Sequence, residues 1–264
     1  MKASYDKTVK FILSMESPEG GFSCSRLTPP TVEDTYFAIM ALKEMGVHFI
    51  DKRTKNYVKS IEPCHICGTR TAYMLARICK SLNIRYMLPE IKTKPATLSE
   101  AYYRALIDDM LGHIQSTKNT IIDVINSSRA PRTVSETYKK VFLMKRCGIS
   151  FNINYYVSYF QSAQNEDGGF GFFRGTTSFL ENVYYSLKGL YELGSFPLDL
   201  KACERFIFYC KASNGGFGRQ ILTVPGIEYT YYAVASLNVI KRMKRSASGM
   251  DKQLLAGDCI FWKT

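Results

Sequence analysis

Gln164-Asn165-Glu166-Asp167-Gly168-Gly169-Phe170-Gly171 decides the fold, because its Gly-Gly-Phe core returns at Gly20-Gly21-Phe22 and again at Gly215-Gly216-Phe217. The interval from the first copy to the second is about three times the interval from the second to the third, and each copy precedes an apolar segment of helical length, the signature of stacked helical hairpins. Paired glycines open backbone angles closed to other residues, and the aromatic anchors the loop on the hairpin beneath it.

Aligning the segments after these loops extends the repeat. Thr31-Val32-Glu33-Asp34-Thr35-Tyr36 runs to Gly46, and Thr133-Val134-Ser135-Glu136-Thr137-Tyr138 runs without a gap to Gly148, although this copy has lost its Gly-Gly-Phe. Similar segments run from Glu181 to Gly194 and from Glu228 to Ile240, with weaker copies near Thr71-Ala72-Tyr73 and Ala101-Tyr102-Tyr103. This predicts five or six hairpins.

Two helix types alternate. Cys203, Phe206, Ile207 and Cys210 fall at i, i+3, i+4 and i+7, giving one buried stripe and one wet face, as in an outer helix. The segment holding Tyr36, Phe37, Ile39, Met40, Ala41, Leu42 and Met45 is apolar nearly all round, as in a helix covered on both sides. An inner ring wrapped by an outer ring is an all-α, α/α toroid with a cavity on its axis, complete or trimmed; the alternative is a helical solenoid with a filled core.

Bulk composition bounds the rest. At 264 residues and 46% apolar, the chain can bury a substantial core, and the repeats read as one domain over 1–264. No apolar run is long enough to cross a bilayer and the first residues lack a signal-peptide pattern, so a soluble, cytoplasmic protein is expected. The eight cysteines, mostly at helical positions such as Cys79, Cys203 and Cys210, read as reduced core thiols. A net charge of +12 favours acidic partners: nucleic acid, an anionic membrane surface or a phosphorylated substrate.

Gln-x-x-Asp-Gly-Gly-Phe-Gly followed by a Tyr-rich inner helix resembles the repeat of protein prenyltransferase β subunits, and squalene and other class II terpene cyclases share a related repeat. The similarity is strong over 153–240, clear over 7–47 and faint over 60–130. It implies a six-hairpin toroid that holds an isoprenoid diphosphate, tail in an aromatic funnel and diphosphate at a basic rim, and that works beside an α-subunit-like partner. Tyr36, Tyr102, Tyr103, Tyr138, Tyr184, Tyr185, Tyr231 and Tyr232 supply the candidate lining, with packing between repeats as the plain alternative. Arg174 and Arg219 are the candidate diphosphate contacts, with Arg26 in the comparable place of the first repeat. A planar guanidinium donates two hydrogen bonds to phosphate at once, and helix N-termini favour anions.

The family holds its acceptor thiolate on zinc, with ligands from an Asp-x-Cys at one inner-helix start and a His on a later helix. Here the corresponding places read Glu181-Asn182-Val183 and Tyr229, so the zinc triad is not visible. In the tail Gly257 to Trp262, Asp258 and Cys259 are adjacent rather than separated by one residue, and Asp108-Asp109 lacks the upstream partner of a cyclase acid motif. Cys64-His65-Ile66-Cys67 has a metal-gripping spacing without a second pair, so Cys64 and Cys67 are weak metal candidates. His48 and His113 are isolated. The carboxylates Glu33, Asp34, Glu136, Glu181 and Glu228 stand at inner-helix starts, where capping and the helix dipole explain them as well as acid–base chemistry does. Lys241-Arg242-Met243-Lys244-Arg245 lacks interleaved aromatics, which argues against a nucleic-acid site and for a solvated helix end or a peripheral membrane contact.

The expectation is therefore a prenyltransferase-β-like toroid binding an isoprenoid diphosphate, and, if it transfers the prenyl group, doing so with arginines on the departing diphosphate. The rivals are a noncatalytic scaffold that has lost the metal, a class II cyclase-like enzyme and a basic solenoid on nucleic acid.

Overall fold

The computed structural model describes residues 5–25, 28–62, 66, 68–85, 94–112 and 114–247. Arg26, Cys64, His65, Cys67, His113 and the tail from Gly257 to Trp262 lie outside the described residues.

Among the described residues there are eleven helices: α1 (Asp6–Leu13), α2 (Val32–Glu44), α3 (Lys52–Ser60), α4 (Gly68–Leu82), α5 (Leu98–Leu111), α6 (Ile114–Ser127), α7 (Val134–Cys147), α8 (Ile153–Ser162), α9 (Leu180–Glu192), α10 (Leu200–Tyr209) and α11 (Ile227–Ala247). Helices α2, α4, α5, α7, α9 and α11 each pack on the next, and α11 packs back on α2. The inner ring therefore closes, and the expected α/α toroid is complete rather than trimmed. Helices α1, α3, α6, α8 and α10 lie against it from outside. No described helix is long and apolar enough to cross a membrane.

Local chemistry explains why each inner helix starts where it does. Thr31, Thr97 and Thr133 cap α2, α5 and α7 by accepting from the backbone N–H three residues on. Helix α9 has no side-chain cap; instead the Arg219 carbonyl accepts from Leu180 N–H at 2.9 Å, and the Phe172 carbonyl does the same for Val134 on α7 at 2.8 Å. Loops ahead of α9 and α11 thus reach back to finish the preceding inner helix.

The Gly-Gly-Phe loops also couple neighbouring hairpins. Gly215 has φ +94°, and a Cβ there would fall on the backbone of Lys7 in α1; Gly168 has φ +86° and would strike Ala202 in α10 in the same way. Only glycine permits both the left-handed backbone and the close approach. Thr8 Oγ donates to the Gly215 carbonyl at 2.8 Å, so this loop seals the last hairpin to the first. The aromatics Phe22, Phe170 and Phe217 are buried beneath their loops. The thiols of Cys79, Cys147, Cys203 and Cys210 are free and buried, as the helical spacing predicts.

Candidate functional site

The tyrosines stand about one turn in from the start of every inner helix, so parallel inner helices bring them to one level. Their rings form a closed circuit: Tyr36 to Tyr73, Tyr103, Tyr102, Tyr138, Tyr185, Tyr184, Tyr231 and back to Tyr36, with centroids 5.2–6.1 Å apart. Tyr232 joins through Tyr184 at 5.1 Å. Tilted and edge-on contacts at these spacings are the favourable geometries of aromatic pairs. The hydroxyls of Tyr184 and Tyr231 lie 3.1 Å apart. Burial pushes the phenols of Tyr36, Tyr102, Tyr138, Tyr184 and Tyr231 well above the ordinary value.

The candidate tyrosines do converge on the axis, and Tyr73 is a member that its weak repeat copy obscured. Instead of lining a wide funnel, however, their rings meet and leave a cavity of about 100 Å³. That is well below the ~300–1,000 Å³ of ordinary ligand pockets.

The cavity is also charged. Arg70 and Arg77 on α4, Lys188 on α9 and Arg242 on α11 line it together with Glu44 on α2. Lys188 donates to the Tyr184 hydroxyl at 3.2 Å and sits over the Tyr138 and Tyr184 rings at 5.2 and 5.1 Å. Burial, with Arg77 and Arg242 adding to it against the pull of Glu192 and Glu44, lowers its ammonium to about 8. Arg242 was expected on a solvated helix end; half-buried, it reaches the axis instead because α11 continues past Ile240 to Ala247. Arg77 and Lys188 were not singled out by sequence, although each follows a ring tyrosine by four residues, the spacing of one helix face.

At the N-terminal rim, from which Arg70 also reaches the cavity lining, two arginines meet carboxylates. Arg219 donates through Nε to Glu181 Oε1 at 2.8 Å, and its guanidinium lies 4.0 Å over the Phe179 ring. Arg174 is exposed on the preceding loop. Arg70 pairs with Glu33, while Lys139 donates to Ser99 Oγ at 3.0 Å and sits over the Tyr103 ring at 5.6 Å. Burial, then Arg70, lowers Lys139 to about 8. Glu228 accepts from the Tyr232 hydroxyl at 3.1 Å, and burial holds its carboxyl above the ordinary value. Asp34, in the first turn of α2, accepts from the capping Thr31 Oγ at 2.9 Å, and Glu136 accepts from Arg132 N–H at 2.8 Å. Asp108 and Asp109 are engaged by Arg104 and Arg146, which is an ion-pair arrangement rather than an acid poised over a cavity. His48 is exposed.

The places where the family's zinc ligands would fall do not suit a metal. Glu181 is engaged by Arg219, Asn182 offers an amide, Val183 has no donor and is fully buried, and Tyr229 is a phenol whose pKa burial raises further. Zinc takes thiolate, imidazole or carboxylate. Among the described residues, no three His, Cys, Asp or Glu converge on a common point.

A search of curated proteins finds no match for this chain. Among solved structures, Candida albicans protein geranylgeranyltransferase-I complexed with GGPP superposes with a TM-score of 0.60 at 15% identity, covering 92% of each chain. At that identity the likeness shows the fold alone. The family model described as the prenyltransferase alpha-alpha toroid domain matches twice, over residues 1–178 and 101–256. The two matches span the whole inner ring, so the chain belongs to the prenyltransferase alpha-alpha toroid domain family.

Proposed function

We propose that this protein is a noncatalytic member of its family, a binding toroid that keeps the ring of helices and the aromatic axis without a thiolate-activating metal centre. The observation that carries the reading is the Arg219–Glu181 ion pair. By the family resemblance Glu181 would face the metal and Arg219 the diphosphate, and here the two are paired with each other through Glu181 Oε1. A metal would have to compete with the guanidinium for Glu181 Oε1, and a phosphate would have to compete with the carboxylate for the Nε and Nη2 donors of Arg219.

The second reading is recognition of an isoprenoid diphosphate, with prenyl transfer beside an α-subunit-like partner. The continuous aromatic lining favours it, and the Candida albicans relative is itself a geranylgeranyltransferase complexed with GGPP. In this reading a prenyl tail has to displace tyrosines that now fill the axis.

Native mass spectrometry of the full-length protein, with and without farnesyl and geranylgeranyl diphosphate and zinc, separates the two. The binding-toroid reading expects neither stoichiometric zinc nor a retained prenyl diphosphate. Both bound together would restore the transferase and place its ligands among cysteines outside the described residues.

A further inference from the structure

We infer that the loop between Phe217 and Ile227 carries a membrane-docking tip, formed by Ile221, Leu222 and Val224, that enters the surface of an anionic lipid bilayer. The tip is anomalous in two ways. Leu222 is 99% exposed and Val224 is 84% exposed, so neither packs on the described core. Leu222 also holds φ +62°, a left-handed backbone that a residue with a Cβ adopts only at a cost. A large apolar side chain kept in a strained and fully wet position is explained by what it touches outside the chain.

The preceding repeat supplies an internal control. Its loop makes the same turn, locked by the same residue type: Thr176 Oγ donates to the Phe173 carbonyl at 2.8 Å, and Thr223 Oγ donates to the Gln220 carbonyl at 2.9 Å. In register, Arg174, Gly175 and Thr177 stand where Ile221, Leu222 and Val224 stand, and all three are exposed. Gly175 has φ +83°, so glycine suits the position and the turn needs no aliphatic side chain there. The last repeat thus carries three apolar groups in place of a cation, a glycine and a hydroxyl, at positions the fold leaves to solvent.

The surroundings favour lipid over protein as the occupant. Protein hot spots are rich in Trp, Tyr and Arg and poor in Leu and Val, whereas an exposed aliphatic tip beside cations suits the boundary between headgroups and acyl chains. This loop packs on its neighbour, with the Arg219 guanidinium over the Phe179 ring and that ring 5.5 Å from Phe172. The neighbouring loop presents exposed Phe173 and Arg174, and its Phe172 carbonyl accepts from Val134 N–H, two residues beyond exposed Arg132. Apolar and cationic side chains therefore adjoin, and a net charge of +12 draws the whole molecule toward anionic headgroups. That attraction acts through the summed field and requires no unpaired cation. The tip lies at the start of α11, whereas Lys241 to Arg245 lie near the end of this 21-residue helix. Docking of this kind is independent of prenyl transfer.

Co-flotation of the full-length protein with vesicles tests it, using phosphatidylcholine alone and an equimolar mixture with phosphatidylserine. Binding to the mixed vesicles is expected, weakened by salt and by omission of phosphatidylserine. Leu222→Gly should lower the partition coefficient roughly tenfold, as follows from withdrawing one leucine side chain, without lowering the urea midpoint, because glycine accepts the left-handed backbone. Its loss of binding is therefore separable from loss of fold. Arg174→Gln should weaken binding roughly fivefold, the worth of one cation near the surface. Lys241→Gln/Arg245→Gln, at the far end of α11, should float as the wild type does. No flotation of the wild type with mixed vesicles, wild-type flotation of Leu222→Gly/Val224→Ser, or loss of flotation in Lys241→Gln/Arg245→Gln alone would overturn the tip. Concentration-dependent dimers in analytical ultracentrifugation, abolished by Leu222→Gly in a chain that does not float, would give the tip to a second copy and overturn the lipid assignment as well.

Discussion

The two neighbourhoods along the toroid axis use the same residue types and treat their charge in opposite ways. At the N-terminal rim Arg219 meets Glu181 and Arg70 meets Glu33, so the cations are tied to carboxylates and partly wet. Deeper in, Arg77, Lys188 and Arg242 share a cavity with Glu44 among buried tyrosines. The difference is one of surroundings: the rim arginines Arg219 and Arg70 meet carboxylates at helix starts, whereas Arg77 and Lys188 stand among buried tyrosine rings. Removing a cation should therefore cost stability at the rim and add stability at the axis.

The largest effect should come from the loop that holds both neighbourhoods in register. Gly215→Ala forces a Cβ into the backbone of Lys7 at a left-handed φ and should cost about 3 kcal/mol in urea unfolding. A near-wild-type midpoint would mean that the ring does not depend on this seam. Next, Lys188→Met should stabilise the protein at pH 7 by about 1–2 kcal/mol. Lowering an ammonium from 10.5 to about 8 costs about 3 kcal/mol, and the lost Tyr184 bond and ring contacts take back part of it. Destabilisation instead would show that the axis is already charge-balanced.

Smaller still, Arg219→Ala should cost about 1 kcal/mol, since the pair is partly exposed. Adding Glu181→Gln should recover most of the loss, because the orphaned carboxylate and not the missing guanidinium carries the penalty. No recovery in that double variant would assign the loss to the Phe179 stack.

The pH dependence sharpens the contrast with least amplitude. Lys139 and Lys188 have folded values near 8 against an ordinary 10.5, so above about pH 8 the unfolded chain holds protons that the folded one has released. Stability then rises with pH. Burial pushes the Cys79 thiol up to about 11 and the Cys210 thiol to about 12 from 9.0, so above pH 9 unfolded thiols ionise first and the sign reverses; tyrosines reinforce this above 10. Urea midpoints under reducing conditions should pass through a maximum near pH 9. The Lys139→Met/Lys188→Met variant should lose the rising arm, and a monotonic fall from pH 8 in the wild type would mean that both lysines titrate normally.

Much of the architecture was legible in residue order. Gly-Gly-Phe at three places, Thr31 and Thr133 as caps, and tyrosines at matching offsets all act through local geometry, which a sequence records directly. Arg77 and Lys188 were not legible, because a cation one turn beyond a tyrosine looks like any wet helix position until six helices close around it. The Arg219–Glu181 pair was hidden for another reason. Each residue suggested a separate role, and only the loop crossing from one hairpin to the next brings them together.

By itself, the sequence determined the repeat, the alternation of inner and outer helices and the level at which the tyrosines stand, since these follow from backbone conformation and helical period. Tertiary structure alone decided that the ring closes, that its axis is nearly filled and that Arg77, Lys188 and Arg242 meet Glu44 there. Volume and counter-charge depend on side chains from helices distant in the chain, and they take a value only when α11 packs against α2.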